Sequence, residues 1–305
     1  MSAENTTRAR TRRSTTGLAA AAGAFLMGAG AVSAMGHFLF TADGPNASGA
    51  ALACPGGISR LGHVLNEDAS MFRGDPKTKI RVVATVSKYG YMVEKITIGS
   101  HTGTHLDAPA HFIENGRAVD ELNADELVWP VYVIDVRGRM AELAAADDPV
   151  DFQLSVEDVA AALGLDPDPD PDPDPEAKEE LQPNSIVVLV TGFEDDFGTE
   201  AYHNPIPGFS GAAVEYLFRQ GATALGTDNL GPDASSDREY RATYTALFLD
   251  GVVVADLNNL VDDVTGRLTL RTGDLMIASP VALENGSAFL VDPLACHGNR
   301  SGDAN

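Results

Sequence analysis

The most informative segment for the architecture of this chain covers residues 99–112 and reads Gly-Ser-His-Thr-Gly-Thr-His-Leu-Asp-Ala-Pro-Ala-His-Phe. Gly103 lies between two threonines, a pattern that disfavours helix and predicts a loop entering an extended stretch. Residues two apart in an extended stretch point to one side, so His105 and Asp107 should face the same way. Because glycine tolerates backbone conformations that other residues avoid, Gly103 would let His101 reach the same point.

This segment also concentrates groups that bind metals, since it holds three of the seven histidines of the chain. Imidazole and carboxylate groups are ligands of divalent metals such as Zn and Mn. A set of three ligands, His101, His105 and Asp107, would leave positions open for water and substrate, as in a catalytic metal site. His111 follows Pro109 and could lie near the metal without binding it, where it would exchange protons with bound water. The alternative is that these histidines make only ordinary hydrogen bonds.

On both sides of this segment, short runs of β-branched residues alternate with helical patterns. Strands are predicted over residues 80–86, 92–98, 131–136, 186–190, 252–255 and 268–270. A helix is predicted over 156–163, where Ser155 and Asp158 resemble a capping box. A second helix is predicted over 211–220, with Ser210 as its N-cap. Strands outnumber helices and are not strictly interleaved with them, so we expect an α/β fold with a mixed sheet in a single domain rather than a doubly wound nucleotide-binding fold.

The amino terminus has the pattern of an export signal over residues 1–34. The adjacent Arg12 and Arg13 precede an Ala-rich, weakly hydrophobic run that ends in small residues, as in signals of the twin-arginine type. An uncleaved membrane anchor is the alternative. Residues 35–57 would then be a linker and 58–298 the folded domain. We therefore expect an exported, extracytoplasmic protein that has no membrane contact once the signal is removed.

The net charge limits the kinds of partner that the chain can bind, and the two cysteines bear on the compartment in which it folds. The 305 residues include 21 Lys and Arg against 44 Asp and Glu, a net charge of -23, so the surface should repel nucleic acid and anionic lipid. Cys54 and Cys296 lie near the two ends of the predicted domain. They could pair in an oxidising compartment, and two unpaired thiols are the alternative.

An Asp-Pro dipeptide is repeated five times over residues 166–175. Every second residue lacks a backbone donor and holds its neighbour extended, so the repeat can form neither helix nor central strand. We expect an exposed, polyproline-like acidic insertion. A calcium site is disfavoured, because it needs ligands that converge on a tight turn.

Residues 99–112 resemble the hallmark motif of the metal-dependent cyclase family, which includes bacterial kynurenine formamidases and isatin hydrolase. Residues 61–64, 72–76, 207–210 and 225–228 resemble other parts of the same family, so the resemblance covers about residues 58–293. It implies a swivelling β/β/α fold, a homo-oligomer, and hydrolysis of an amide, lactam or ester carbonyl by metal-activated water. It further implies that His101, His105 and Asp107 are metal ligands and that His111 is the catalytic acid/base.

The resemblance fails at two positions. The dizinc members of the family bind a second metal with a histidine and, twelve residues later, a glutamate, where this chain has Tyr244 and Asp256. A neutral phenol is a poor ligand, and aspartate is one methylene shorter than glutamate. We therefore expect one divalent metal, Mn or Zn. Tyr244 and Asp256 are candidates for a second metal or for contacts behind the ligands, and Tyr244 could instead donate a hydrogen bond to substrate.

These observations predict an exported metal-dependent hydrolase of the arylformamidase or isatin hydrolase type, acting on a small carbonyl substrate that could be aromatic. The alternative is a noncatalytic binding or scaffold protein on the same fold, suggested by Tyr244 and Asp256. Trp129 could line a pocket, although core packing is the favoured role. His63 and His203 show no partner pattern and are interpreted as structural.

Overall fold

The computed structural model describes residues 54–167 and 181–299. All of them belong to one compact unit, which spans Ala50–Asn305. The predicted signal over 1–34, most of the predicted linker over 35–57, and the Asp-Pro insertion beyond Pro167 lie outside the described residues. Among the helices in the described ranges, none has the length and apolar character needed to cross a bilayer.

Thirteen strands and five α-helices form the described part of the chain. The strands are β1 (Ile58–Arg60), β2 (Lys79–Ala84), β3 (Val93–Thr97), β4 (His105–Asp107), β5 (Val128–Asp135), β6 (Gln153–Leu154), β7 (Ser185–Val190), β8 (Gly208–Phe209), β9 (Ala222–Thr227), β10 (Val252–Ala255), β11 (Leu275–Ile277), β12 (Ala288–Leu290) and β13 (Leu294–Cys296). The helices are α1 (Val86–Tyr89), α2 (Arg137–Ala145), α3 (Val156–Leu163), α4 (Gly211–Arg219) and α5 (Arg241–Phe248).

A nine-stranded mixed sheet organises the fold, in the order β1-β13-β11-β5-β7-β9-β10-β4-β12. The four neighbouring strands β5, β7, β9 and β10 are parallel, and the remaining pairs are antiparallel. Strand β7 is buried along its whole length, as expected for a parallel strand covered on both faces. Ile186 and Val188 pack into the core on one face and Val187 and Leu189 into the core on the other. The expected mixed α/β architecture is confirmed.

Helices α3, α4 and α5 pack on one face of this sheet. Ser155 caps α3 by accepting a hydrogen bond from the backbone N–H of Asp158, whose carboxylate reaches back to the Ser155 N–H. Ser210 caps α4 through the N–H of Ala213. Both predicted helices are therefore confirmed, and α4 ends at Arg219, one residue before the predicted boundary.

The predicted strand over residues 268–270 is wrong. Leu268 makes only a single bridge to Val261, and the segment is otherwise irregular. The apolar residues of this segment resemble a strand because the segment is a loop that buries Leu270 fully in the core. The predicted strand over 80–86 is too long, because Val86 begins the short helix α1.

The two ends of the described domain are joined at one edge of the sheet. Cys54 and Cys296 form a disulfide, which decides between the paired and unpaired alternatives. Beside it, His297 Nδ1 donates to Asp274 Oδ2 at 2.8 Å, and its Nε2 lies 2.8 Å from Ser59 Oγ. This chain of hydrogen bonds crosses three neighbouring strands and holds β1 at the edge. Trp129 is fully buried in the core, in agreement with its favoured role.

Candidate active site

Strand β4 carries the centre of the site. It lies between β10 and β12, and its residues His105 and Asp107 are both buried. Gly103 adopts a left-handed conformation with φ of 64°, which turns the preceding loop back toward the strand. As a result, His101 Nδ1 lies 2.7 Å from Asp107 Oδ1, and His105 Nε2 lies 3.2 Å from the same oxygen. The predicted convergence of these three side chains on one point is observed.

Each of the two imidazoles is held through the nitrogen that faces away from Asp107. His105 Nδ1 donates to the carbonyl oxygen of Gly103 at 2.7 Å, so Nε2 carries the lone pair whenever the ring is neutral. His101 Nε2 lies 3.1 Å from Ser287 Oγ, which leaves Nδ1 directed at the carboxylate. Metal-binding histidines are commonly fixed in this way by a partner on the outer nitrogen.

The donor set fits a divalent cation. Asp107 Oδ1 is buried and has no hydrogen-bond partner of ordinary geometry, although two imidazole nitrogens approach it closely. A buried oxygen left in this state is costly unless another group binds it. Two imidazole nitrogens and a carboxylate oxygen are suitable ligands for Zn or Mn. The ligand atoms of His101, Asp107 and His111 all lie within 4.8 Å of one another.

The site also favours positive charge. Burial opposes ionisation of Asp107, but the attraction of His105 and the contact with His101 hold its pKa well below its usual range. For His105, burial opposes protonation, and the neighbouring Asp107 and Asp256 nevertheless raise its pKa well above the ordinary value. The same carboxylates that stabilise an imidazolium would stabilise a bound dication, which would displace the proton from the ligating nitrogen.

His111 lies beside this cluster at the end of a short 3₁₀ helix, Pro109–His111. Its ring centroid is 3.9 Å from that of His101, and the residue is exposed. Partial desolvation of the ring by its neighbours lowers the pKa of His111. The charge of Asp107 raises this pKa, and the charges of His101 and His105 lower it. A neutral imidazole that remains accessible from the cavity suits proton transfer.

Asp256 lies against the outer nitrogen of His105 and also lines the cavity described below. It follows β10 in a left-handed conformation with φ of 55°, and its Oδ2 lies 3.5 Å from His105 Nδ1. Its Oδ1 accepts a hydrogen bond of 2.5 Å from the hydroxyl of Tyr202, which is fully buried. Burial raises the pKa of Asp256 and also that of Tyr202. Sequence reasoning missed Tyr202, because no spacing connects it to a partner 54 residues away.

The interpretation of Tyr244 as a group near the metal or substrate needs correction. Tyr244 is 46% exposed, stacks on Phe248 with a centroid distance of 5.8 Å, and does not line the cavity described below. The geometry of α5 explains this. Thr243 lines the cavity, and consecutive residues of a helix point in different directions, so Tyr244 points away from it.

A cavity of about 460 Å³ opens onto the His-Asp cluster. The phenylalanines and tyrosines that line it are Phe72, Phe112, Tyr202 and Tyr240, and the ring of Tyr240 is 6.2 Å from that of Phe72 and from that of Phe112. Arg73 and Arg238 also line the cavity. His203 lines the cavity as well, so its interpretation as purely structural is wrong, whereas His63 stacks on Phe197 at 3.8 Å. The cavity can therefore hold a small molecule with a flat apolar part.

Comparison with known proteins gives consistent matches. A family model described as putative cyclase matches residues 59–234. Kynurenine formamidase from Bacillus cytotoxicus is 24% identical over 221 residues, which cover 72% of this chain and 87% of that protein. Isatin hydrolase from Roseibium aggregatum is 26% identical over 261 residues, 79% of this chain and 89% of that protein. The structure of isatin hydrolase A from Labrenzia aggregata bound to benzyl benzoate matches with a TM-score of 0.64 and 25% identity, covering 79% of this chain and 94% of that chain.

Proposed function

Because this chain belongs to the cyclase family, we propose that it is a metal-dependent hydrolase that cleaves the C–N bond of a small amide or lactam. The observation that carries the proposal is the convergence of His101 and His105 on a buried oxygen of Asp107 that has no hydrogen-bond partner of ordinary geometry. Two relatives are named for hydrolysis reactions, kynurenine formamidase and isatin hydrolase, which supports hydrolysis of an amide or lactam by this chain. The aromatic wall of the cavity supports an arylformamide or an isatin-like lactam as substrate.

In this proposal His101, His105 and Asp107 hold one Mn or Zn ion. When bound, such an ion lowers the pKa of a water molecule and polarises the carbonyl of the substrate. Gly103 positions His105 through its carbonyl oxygen, and Ser287 positions His101. Asp256, held by Tyr202, lies behind His105 and helps to fix its ring.

His111 moves the proton. Its lowered pKa keeps the ring neutral near pH 7, so it can accept a proton from the water that attacks the carbonyl carbon. When the C–N bond breaks, the imidazolium returns that proton to the leaving nitrogen. The products are a carboxylic acid and an amine, and His111 is regenerated in its neutral form.

The noncatalytic alternative rested on the substitutions at positions 244 and 256. Tyr244 does not line the cavity, whereas Asp256 lines it, accepts a hydrogen bond from Tyr202 through Oδ1, and directs Oδ2 toward His105. Neither observation favours a scaffold role over catalysis.

Metal loading tests the proposal directly. Metal-depleted protein should not hydrolyse N-formylkynurenine or isatin, and addition of one equivalent of Mn or Zn should restore hydrolysis of at least one of them. Asp107→Asn keeps the shape of the side chain and removes its charge, so it should weaken metal binding even where the fold survives. Protein that binds no divalent metal, or that hydrolyses either compound equally well without metal, would contradict the proposal.

We also propose export by a twin-arginine signal over residues 1–34. The Cys54–Cys296 disulfide supports this, since disulfides persist mainly outside the reducing cytoplasm. Replacing Arg12 and Arg13 by lysine should retain the protein in the cytoplasm in a cell-fractionation assay. Unchanged export of that variant would contradict the proposed route.

A homo-oligomer is proposed from the hairpin of β2 and β3, which pairs with no other strand of the described residues. It exposes large apolar side chains, among them Val83, Tyr91, Met92 and Ile96. Exposed apolar area of this kind marks interaction surfaces, and a second copy of the chain is the partner we propose. Sedimentation that shows a monomer at micromolar concentration would contradict it.

A further inference from the structure

Arg238 differs from most arginines of the described residues in having no carboxylate partner among them. It lines the cavity of the candidate site and is exposed. Within residues 54–167 and 181–299 it makes no hydrogen bond or ion pair, whereas most other arginines there pair with a carboxylate, among them Arg117 and Arg137. Arg81 and Arg267 are likewise unpaired within those ranges, but neither lines the cavity. Arg238 is thus an unpaired cation placed at the site.

Three carboxylates lie close to Arg238 in the sequence, and none of them pairs with it. Glu239 lies 3.9 Å from the Nε of Arg241, and the other two are more firmly engaged. Asp237 accepts hydrogen bonds from the backbone N–H groups of Glu239 and Arg241, and it pairs with the Arg241 side chain at 3.1 Å. Asp233 accepts from the N–H of Ala242 at 2.7 Å, at the start of α5. The guanidinium of Arg238 therefore stays available to a ligand.

Arg238 shares its cavity with aromatic side chains and with the groups that perform the chemistry. Phe112 adjoins His111, with ring centroids 4.6 Å apart, and its ring lies 6.2 Å from that of Tyr240. Tyr240 follows Arg238 by two residues. A flat ring bound in this cavity would therefore share it with both His111 and Arg238.

The overall charge makes an unpaired arginine at this place informative, since Arg73, the other arginine that lines the cavity, pairs with Glu200. A chain with a net charge of -23 repels anions, so an anionic substrate needs a local cation to offset that field. Guanidinium binds a carboxylate through two parallel hydrogen bonds, which gives both affinity and orientation. We propose that the substrate is an aryl amide whose ring bears a carboxylate, and that Arg238 binds this carboxylate and so determines specificity. This inference rests on the proposed amide hydrolysis.

Three matched compounds test the inference on the metal-loaded full chain: 4-formamidobenzoate, its methyl ester, and formanilide. The wild type should hydrolyse 4-formamidobenzoate with the highest kcat/KM. Arg238→Gln should lower kcat/KM for the carboxylate compound about 10-fold to 100-fold, the range for a lost charged hydrogen bond, and should lower kcat/KM for the two neutral compounds far less. Arg238→Lys keeps the charge without the planar fork and should recover part of the loss.

Arg267→Gln is the matched control, because it removes an unpaired arginine that does not line the cavity. It should behave as the wild type on all three compounds. A wild type that shows no preference for the carboxylate compound would overturn the inference, as would an Arg238→Gln variant that loses equally on charged and neutral compounds.

Binding of benzoate, measured by calorimetry, separates failure of this inference from failure of the proposed function. If no compound is hydrolysed, the proposed function fails. In that case, weaker binding of benzoate by Arg238→Gln than by the wild type would still support the anion site. The anion site is overturned if the wild type does not bind benzoate at millimolar concentration, or if both proteins bind it equally well.

Discussion

His105 and His111 approach the same carboxylate, Asp107, and differ in what holds their rings. His105 is buried and fixed by the carbonyl oxygen of Gly103. His111 is exposed and contacts the rings of His101 and Phe112. The first arrangement suits a ligand that must not move, and the second suits a group that exchanges protons with substrate.

Substitution of these two histidines should therefore have different consequences. His111→Ala should leave the metal content near that of the wild type and lower turnover by roughly 100-fold to 10,000-fold, the range for a lost general acid or base. His105→Ala should lose metal and turnover together. Metal content by elemental analysis and steady-state kinetics measure both quantities. Since the ligand atom of His111 lies within 4.8 Å of those of His101 and Asp107, metal-free His111→Ala protein would show that His111 is itself a ligand.

At the scale of a single element, the start of α5 depends on a residue outside the helix. Its N-cap residue, Tyr240, has a φ of 52° and makes no side-chain cap. Asp233 takes the place of the cap. Its carboxylate accepts hydrogen bonds from the N–H groups of Ala242 and Thr243 and from the Thr243 hydroxyl. Despite these bonds, burial raises the pKa of Asp233 to about 6.

This shift predicts how stability depends on pH. The folded pKa of about 6 lies above the ordinary value of 3.8, so the folded state holds the proton more tightly than the unfolded state. The resulting stabilisation is full below the unfolded pKa and is lost as pH rises through about 6. From about pH 4 to about pH 7.5 the Asp233 contribution to the free energy of unfolding should fall by on the order of 2 kcal/mol.

Asp233→Asn isolates this contribution, because asparagine can still accept from the helix N–H groups and does not titrate. Denaturant unfolding at the two pH values should show a smaller difference for Asp233→Asn than for the wild type. Asp263→Asn, at an exposed position, makes the same change in net charge and serves as the control. Equal pH dependence in Asp233→Asn and the wild type would refute the assignment.

At the scale of the whole molecule, the Cys54–Cys296 disulfide joins the two ends of the described domain across 242 residues of sequence. A cross-link of this length removes much conformational freedom from the unfolded chain. Replacing both cysteines by alanine should lower the free energy of unfolding by about 2–5 kcal/mol.

Denaturant titration measures this loss, and the wild type under reducing conditions should show a similar one. The double variant should keep its metal, since the disulfide and the His-Asp cluster share no residue. A double variant as stable as the oxidised wild type would mean that the hydrogen bonds of Ser59, His297 and Asp274 hold this edge of the sheet unaided.

The sequence by itself determined the features that depend on neighbours in the chain. Capping of α3 by Ser155, the run of β-branched residues in β7, and the turn at Gly103 each follow from a few consecutive residues. The shared side of His105 and Asp107 follows in the same way from their spacing. These predictions succeeded because backbone sterics and local hydrogen bonds act over one or two turns.

Only the tertiary structure decided which distant residues meet at the site. The order of the strands brings Asp256 and the buried Tyr202 behind His105, and the phase of α5 takes Tyr244 out of the cavity. Whether Arg238 has a carboxylate partner depends on how the preceding loop and the start of α5 engage Asp233 and Asp237. Contacts of this kind depend on packing between segments far apart in the chain, and no local pattern of residues encodes them.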